Sequence, residues 1–232
     1  MTFNNGSPKI PLDYLEQGHD ITPCNNKVPI LSNWQQKKIG KDEWQKQYTM
    51  CCIGLKLGGK TDIDIDNNVV KKFITKYLKS CGAIYGRKSN PRSHYLFLGE
   101  LKSKKYSMPQ ELKKYCKDFP HGVTLLEIRS GNGHQSIAPG SSILGEDVVW
   151  NSFANINTYD GDLEADIAKI ALSSALQILY PSEGKRDEYC TAIAGVLAKH
   201  TEWTETSING FVYNLAVCSD DEEAEKRMAK GT

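Results

Sequence analysis

The chain lacks any run of about 20 apolar residues, the length a bilayer-spanning helix needs, and its polar amino terminus has no signal-like apolar core. Membrane spanning and secretion are disfavoured, and a cytoplasmic location is expected. A C-x-x-C pair is also missing. The seven cysteines, Cys24, Cys51, Cys52, Cys81, Cys116, Cys190 and Cys218, are odd in number and scattered, which argues against a disulfide framework or a zinc ribbon. Net charge is nearly absent, with 29 Lys and Arg against 28 Asp and Glu, so no overall basic field announces nucleic acid. Any such surface must be local. Lys71, Lys72, Lys76 and Lys79 form one basic segment, and Lys102, Lys104, Lys105, Lys113, Lys114 and Lys117 form another, although a solvated helix face is the ordinary explanation of both. At 232 residues the chain has room for one large domain or two small ones.

What stands out instead is Asp62-Ile63-Asp64-Ile65-Asp66. In an extended strand this alternation places the three carboxylates on one face and both isoleucines on the other. Same-face neighbours lie roughly 6.6 Å apart, where each like-charge pair costs about 2.5 kcal/mol at an effective dielectric near 20. Divalent metal reverses that sign. Two Mg²⁺ or Mn²⁺ ions are what nucleotidyl transfer uses to activate a hydroxyl and stabilise a pyrophosphate leaving group. Aspartate on the wet face of a half-exposed strand is the plain alternative. An EF-hand loop fails, because its sixth and twelfth positions would be Asn67 and Phe73 rather than glycine and glutamate.

Hydrophobic patterning predicts strands over 51–57 and 61–66, joined at Gly58-Gly59 like a hairpin, and an amphipathic helix over 69–78 packed behind that sheet. Strands over 83–85 and 94–98 are separated by a polar loop at 86–93. A basic, helical excursion follows up to Phe119, then strands over 123–128 and 135–138. Composition shifts near residue 159. Helices are predicted over 162–179, 188–200 and 206–217, with Ser219-Asp220-Asp221-Glu222 capping a fourth that is still running at Thr232. The expected class is α+β, with a first domain over 1–158 and a small all-α module over 159–232.

Several further groups could carry chemistry. Residues 54–61 spell G-x-x-x-x-G-K-[ST], yet a phosphate-binding loop must open a helix, and here strand alternation follows. Arg87, Lys88, Ser89 and Arg92 precede Ser93 and His94 within a short segment, a sensible cradle for a triphosphate, with a solvated basic loop as the alternative. Glu127 and Arg129 alternate on one strand face; either they form an exposed ion pair, or Glu127 completes the metal site while Arg129 faces phosphate. His134 and Gln135, past a glycine turn, could bond base, sugar or phosphate.

Acid-x-acid, Ser93-His94 and Glu127-Ile128-Arg129 occur in the order seen in the archaeo-eukaryotic primase superfamily. The chain most resembles the bifunctional primase-polymerases of plasmids and phages. "GRKSNPRSHYLF" and "LLEIRSGNGHQSIAPGS" are similar to that family's second and third motifs, and "YLEQGHDITPCNNKVPILSNW" to its lead-in. The resemblance implies a catalytic core with an RRM-like antiparallel sheet beside an αβ unit, two divalent ions, a nucleoside triphosphate (NTP or dNTP), and single-stranded DNA template with primer. It implies an acidic pair as metal ligands, Glu127 as the third carboxylate, His94 on the triphosphate, and Arg129 on nucleotide. Asp62 with Asp64, or Asp64 with Asp66, could be the pair; strand length favours the later one. The helical tail resembles the module that precedes a helicase domain in such proteins, so a helicase is expected beyond this chain.

Three rival readings remain in view. A rolling-circle initiator needs a His-hydrophobe-His pair, which His19, His94, His121, His134 and His200 do not provide. A non-catalytic RRM-like single-strand binder would want aromatics where this chain has carboxylates. A P-loop ATPase or helicase fragment would use residues 54–61.

Overall fold

A computed structural model describes residues 7–116 and 124–228. Lys117, Phe119, His121, Val123 and Thr232 lie outside the described residues. The elements in chain order are α1 (Pro11–Glu16), β1 (Ile21–Asn25), β2 (Val28–Pro29), α2 (Lys41–Gln47), β3 (Cys52–Lys56), β4 (Lys60–Asp64), α3 (Asn68–Tyr77), β5 (Ala83–Arg87) and β6 (Asn90–Leu98). After these come β7 (Lys104–Ser107), a 3₁₀ segment (Gln110–Cys116), β8 (Thr124–Ser130), β9 (Gln135–Ile137), β10 (Ser142–Ile143), β11 (Glu146–Phe153) and β12 (Asn157–Thr158). The carboxyl-terminal part is α4 (Leu163–Ile178), α5 (Arg186–His200), α6 (Glu205–Cys218) and α7 (Ala224–Arg227). The fold is α+β, with antiparallel sheets and a helical region at the end. No helix among the described residues is long and apolar enough to cross a membrane.

Two compact units emerge. One comprises Met1–Asp66, Ser80–Lys105 and Leu126–Asp162, the other Asn67–Lys79, Tyr106–Leu125 and Leu163–Thr232. Composition divides the chain once, near residue 159; in space the chain passes between the units several times.

The first unit is built on two sheets. A four-stranded sheet runs β2-β1-β3-β9, and an eight-stranded sheet runs β10-β11-β5-β6-β4-β8-β7, with β12 lying parallel to β6. Apolar side chains from both sheets make one core: Ile21, Ile53 and Leu55 from the smaller, Ala83, Tyr85, Leu96 and Val148 from the larger, together with Tyr14 and Trp44 from α1 and α2. Burying each large aliphatic or aromatic side chain of this kind contributes roughly 1.5–3 kcal/mol.

Two expected local shapes differ from what forms. β3 and β4 do not pair as a hairpin: β3 bonds β1 and β9, while β4 bonds β6 and β8. Gly58-Gly59 therefore carries the chain from one sheet to the other. Gly59 has φ of 71°, and a Cβ on Gly58 would lie 2.3 Å from the Asn132 side-chain oxygen. Residues 86–93 are likewise not an open loop. β5 and β6 form a tight hairpin around Lys88-Ser89, tied by Ser89 donating to Glu146 and by the Arg92 N–H donating to Asn151 at 2.7 Å. Turn-rich composition concealed this hairpin, which β11 holds from much further along the chain.

The second unit is helical. Asn67 caps α3, its side chain accepting from the Val69 N–H at 2.9 Å, and Thr204 caps α6 through the Ser207 N–H at 3.2 Å. Here α3 has α4 and α6 as neighbours. Cys190, Ala194, Leu197, Ile208, Phe211 and Val212 form the core of this unit, with Tyr77, Leu176 and Trp203 packed against it.

Candidate active site

Strand register sets the site. On β4, Asp64 lies opposite His94 of β6 and Glu127 of β8, while Asp62 lies opposite Leu96 and Arg129. Directly opposed residues of antiparallel strands share a face, so Asp62, Asp64, His94, Glu127 and Arg129 all project from one side of the sheet. β4 ends at Asp64, and Asp66 follows two residues beyond.

The three aspartates have different surroundings. Asp62 is fully buried, and its Oδ2 accepts from Ser136 Oγ at 2.5 Å and from His94 Nδ1 at 2.9 Å. Its Oδ1 is buried without a hydrogen-bond partner. Asp64 is half-buried, with Oδ1 3.7 Å from His94 Nδ1 and Oδ2 3.5 Å from an Arg129 terminal nitrogen. Burial, then the charges of Asp62 and Asp66, push its carboxyl above the usual range; His94 and Arg129 only partly offset this. Asp66 is half-buried and lines the same cleft as Asp64.

The cations behave accordingly. Burial works against a charge on His94, but Asp62 and Asp64 outweigh it and the imidazole is pushed up to about 9, so it is an imidazolium at neutral pH. Its ring stacks on Tyr85, with centroids 4.5 Å apart and planes 9° from parallel. Tyr85 is itself completely buried and kept neutral by that burial and by the nearby aspartates. Arg129 loses solvation, yet Asp64, Asp62 and Glu127 raise its basicity; its Nε is buried without a hydrogen-bond partner.

A cleft joins these groups, lined by Asp64, Asp66, Arg87, Ser93, His94, Arg129 and Gln135, by Lys27, Gly86 and Asn90, and by Ile137, Ile143 and Val148. Gly86 is needed there, since a Cβ would lie 2.4 Å from the Asn90 carbonyl and 3.0 Å from Ser93 Oγ. Gln135 donates to the Lys27 carbonyl at 2.9 Å and has an unpartnered side-chain oxygen. Of the expected residues, Asp62 is fully buried and does not line the cleft, and Glu127 is half-buried on the strand beside Asp64 without lining it. Arg87 lines the cleft 3.7 Å from Glu146. Lys88 and Ser89 are exposed at the hairpin tip. Arg92, with φ of 54°, bonds the Tyr95 hydroxyl on the opposite sheet face and does not join the others. His134 is half-buried in the turn before β9, its backbone bonded to Gly131 and Leu57.

Sequence reasoning missed Lys27, Asn90, Ser136 and Tyr85. Lys27 reaches the cleft through the β1–β2 turn, and no local pattern marks it. Ser136 adjoins Gln135, and a small hydroxyl beside two polar candidates was the available signal.

Among the described residues, no three His, Cys, Asp or Glu side chains are gathered into a ready-made metal cage. The donor chemistry nonetheless fits a hard divalent ion. Asp64 and Asp66 share a cleft, Glu127 is the strand neighbour of Asp64, and the Asp64 carboxylate, disfavoured first by burial and then by the charges of Asp62 and Asp66, is one that a bound cation would stabilise. The segment 54–61 runs strand, turn, strand, with no helix opening before Asn68, which is not phosphate-loop geometry.

Antiparallel sheets carry these acids and cations on one face, and a helical region follows them in the chain. Residues 11–159 match the family model described as bifunctional DNA primase/polymerase, N-terminal, and the chain belongs to that family. No curated protein and no solved structure matches the chain.

Proposed function

We propose that this chain is a DNA primase-polymerase that makes and extends primers on single-stranded DNA, attack of a 3′-hydroxyl on the α-phosphate of a nucleoside triphosphate expelling pyrophosphate. The observation that carries this reading is the register placing Asp64 opposite both Glu127 and His94 at a cleft walled by Arg87, Arg129 and Lys27. Asp64, Asp66 and Glu127 are the residues that would hold two Mg²⁺ or Mn²⁺ ions. Such ions, when bound, lower the pKa of the attacking hydroxyl and neutralise charge on the leaving group.

The side chains of the chain supply positioning and fixed charge. His94, as an imidazolium, presents a proton donor and a positive charge to triphosphate oxygens. Arg129 and Arg87 add guanidinium groups suited to phosphate, while Ser93 and Gln135 offer neutral hydrogen bonds. Lys88 and Ser89, at the hairpin tip, and His134 complete the nucleotide-binding set of this reading. In this reading the helical unit contacts template or the initiating nucleotide.

The test is incubation with a defined single-stranded DNA template, labelled nucleotides and Mn²⁺ or Mg²⁺, with and without primer. Products in both lanes support a primase-polymerase, and products only with primer restrict it to extension. Absence of product in both lanes contradicts the assignment.

A further inference from the structure

We propose that Asp62 is a positioning residue rather than a metal ligand: with Ser136 and Tyr85 it fixes the His94 ring so that Nε2 is the nitrogen offered to the nucleotide. This rests on the primase-polymerase reading of the cleft and assigns a separate task to one of its three aspartates. Burial distinguishes Asp62 first. It is wholly excluded from solvent and does not line the cleft, whereas Asp64 and Asp66 do.

Bonding distinguishes it second. Asp62 Oδ2 is already engaged by two donors, Ser136 Oγ at 2.5 Å and His94 Nδ1 at 2.9 Å, so it is satisfied by protein. Its other oxygen is buried without a hydrogen-bond partner, and the charge of Asp62 helps to raise the basicity of its strand neighbour Arg129. The carboxylate therefore compensates cations inside the sheet.

Geometry at the imidazole supplies the third step. An imidazole has two ring nitrogens, and a hydrogen bond at one sets the role of the other. Asp62 holds Nδ1, and Tyr85 stacks on one ring face at 4.5 Å, which fixes both the tilt and the rotation of the ring. Nε2, on the far edge, is left for a ligand. Ser136 comes from β9 of the four-stranded sheet and Asp62 from the eight-stranded one, so their bond also pins the two sheets at the site. Ser136 thereby becomes a second positioning residue, acting through Asp62.

The experiment compares Asp62→Asn, Ser136→Ala and Asp64→Asn, with Mn²⁺ binding followed by electron paramagnetic resonance and dNTP binding by equilibrium titration. Circular dichroism verifies folding, and the amide of Asp62→Asn is isosteric with the carboxylate it replaces. Asp62→Asn should weaken dNTP binding by about 10–100-fold, the usual cost of losing the group that orients a functional imidazole, and leave Mn²⁺ affinity within about threefold. Its KM for dNTP should rise more than its kcat falls. Ser136→Ala should move the same quantities in the same direction by less, and Asp64→Asn should abolish Mn²⁺ binding. Loss of Mn²⁺ binding in folded Asp62→Asn, or unchanged dNTP affinity in it, overturns the proposal. Failure of the underlying reading has a different signature: the unsubstituted chain makes no product on primed template.

Discussion

The protein buries aspartates in two places and treats them oppositely. In the helical unit, Asp221 has no side-chain exposure and is fully met: Arg227 Nε donates at 3.1 Å, the Tyr180 hydroxyl at 2.7 Å and the Glu223 N–H at 3.0 Å, with Arg186 at 3.5 Å. Burial alone would raise its carboxyl, but these donors together hold it below the usual range. In the sheet unit, Asp64 has His94 at 3.7 Å and Arg129 at 3.5 Å, yet burial, together with the charges of Asp62 and Asp66, pushes its carboxyl up. One aspartate serves as a rivet. The other carries charge the fold leaves uncompensated, as expected where strain is kept for function.

The largest effect that could break this contrast is on catalysis. Asp64→Ala should reduce primer extension by at least about 10²-fold while near-ultraviolet and far-ultraviolet circular dichroism stay unchanged. Full activity in that variant with Mg²⁺ or Mn²⁺ present would place the chemistry elsewhere. Asp221→Ala should do the reverse, sparing primer extension and destabilising the helical unit. It leaves Arg227 buried without its main partner, and because the pair lies close beneath the surface the cost is about 2–3 kcal/mol, readable as a lower urea midpoint.

His94→Ala comes next. It should raise the apparent KM for nucleotide by about tenfold with a smaller change in kcat, and an unchanged KM removes His94 from the triphosphate site.

The two aspartates should also differ in how they couple stability to pH. Asp221 has a folded pKa below its unfolded value, so its contribution is fully present above about pH 4 and is lost as pH falls through the lowered folded value. Asp64 has a folded pKa above its unfolded value, so its cost is absent below about pH 4 and fully present above the raised folded value. Without divalent ions at neutral pH, Asp64→Asn should therefore raise the urea midpoint and Asp221→Asn should lower it. Equal shifts of the same sign would erase the distinction.

Lys60→Ala should have the smallest effect on turnover, under about threefold, because Lys60 stands on a strand and not at a helix terminus. A larger loss than in Asp64→Ala would revive the phosphate-loop reading.

Much of this arrangement was legible because period-2 patterning is local. Asp62, Asp64, Glu127 and Arg129 share a sheet face as their alternation requires, and the helices at 163–178, 186–200 and 205–218 follow their apolar spacing. What was not legible depended on distant partners. Residues 51–66 look like one hairpin until β9 claims β3 while β6 and β8 claim β4. Residues 86–93 look like a loop because Gly, Asn and Pro dominate local preference, whereas Glu146 and Asn151 hold the segment as strand. That change scatters the basic cradle: Arg87 stays in the cleft and Arg92 turns to Tyr95. Lys27 and Ser136 join the site only through sheet packing, which no local spacing encodes. Burial, which no local spacing encodes, likewise separates Asp62 from the other two aspartates.

The central claim, that Asp64 and Glu127 hold divalent metal for nucleotidyl transfer, is tested most directly by titrating Mn²⁺ into the unsubstituted chain, Asp64→Asn and Glu127→Gln by electron paramagnetic resonance. Saturable binding to the first, and its loss in both variants, is the predicted result. Binding that persists unchanged in both variants would contradict the account.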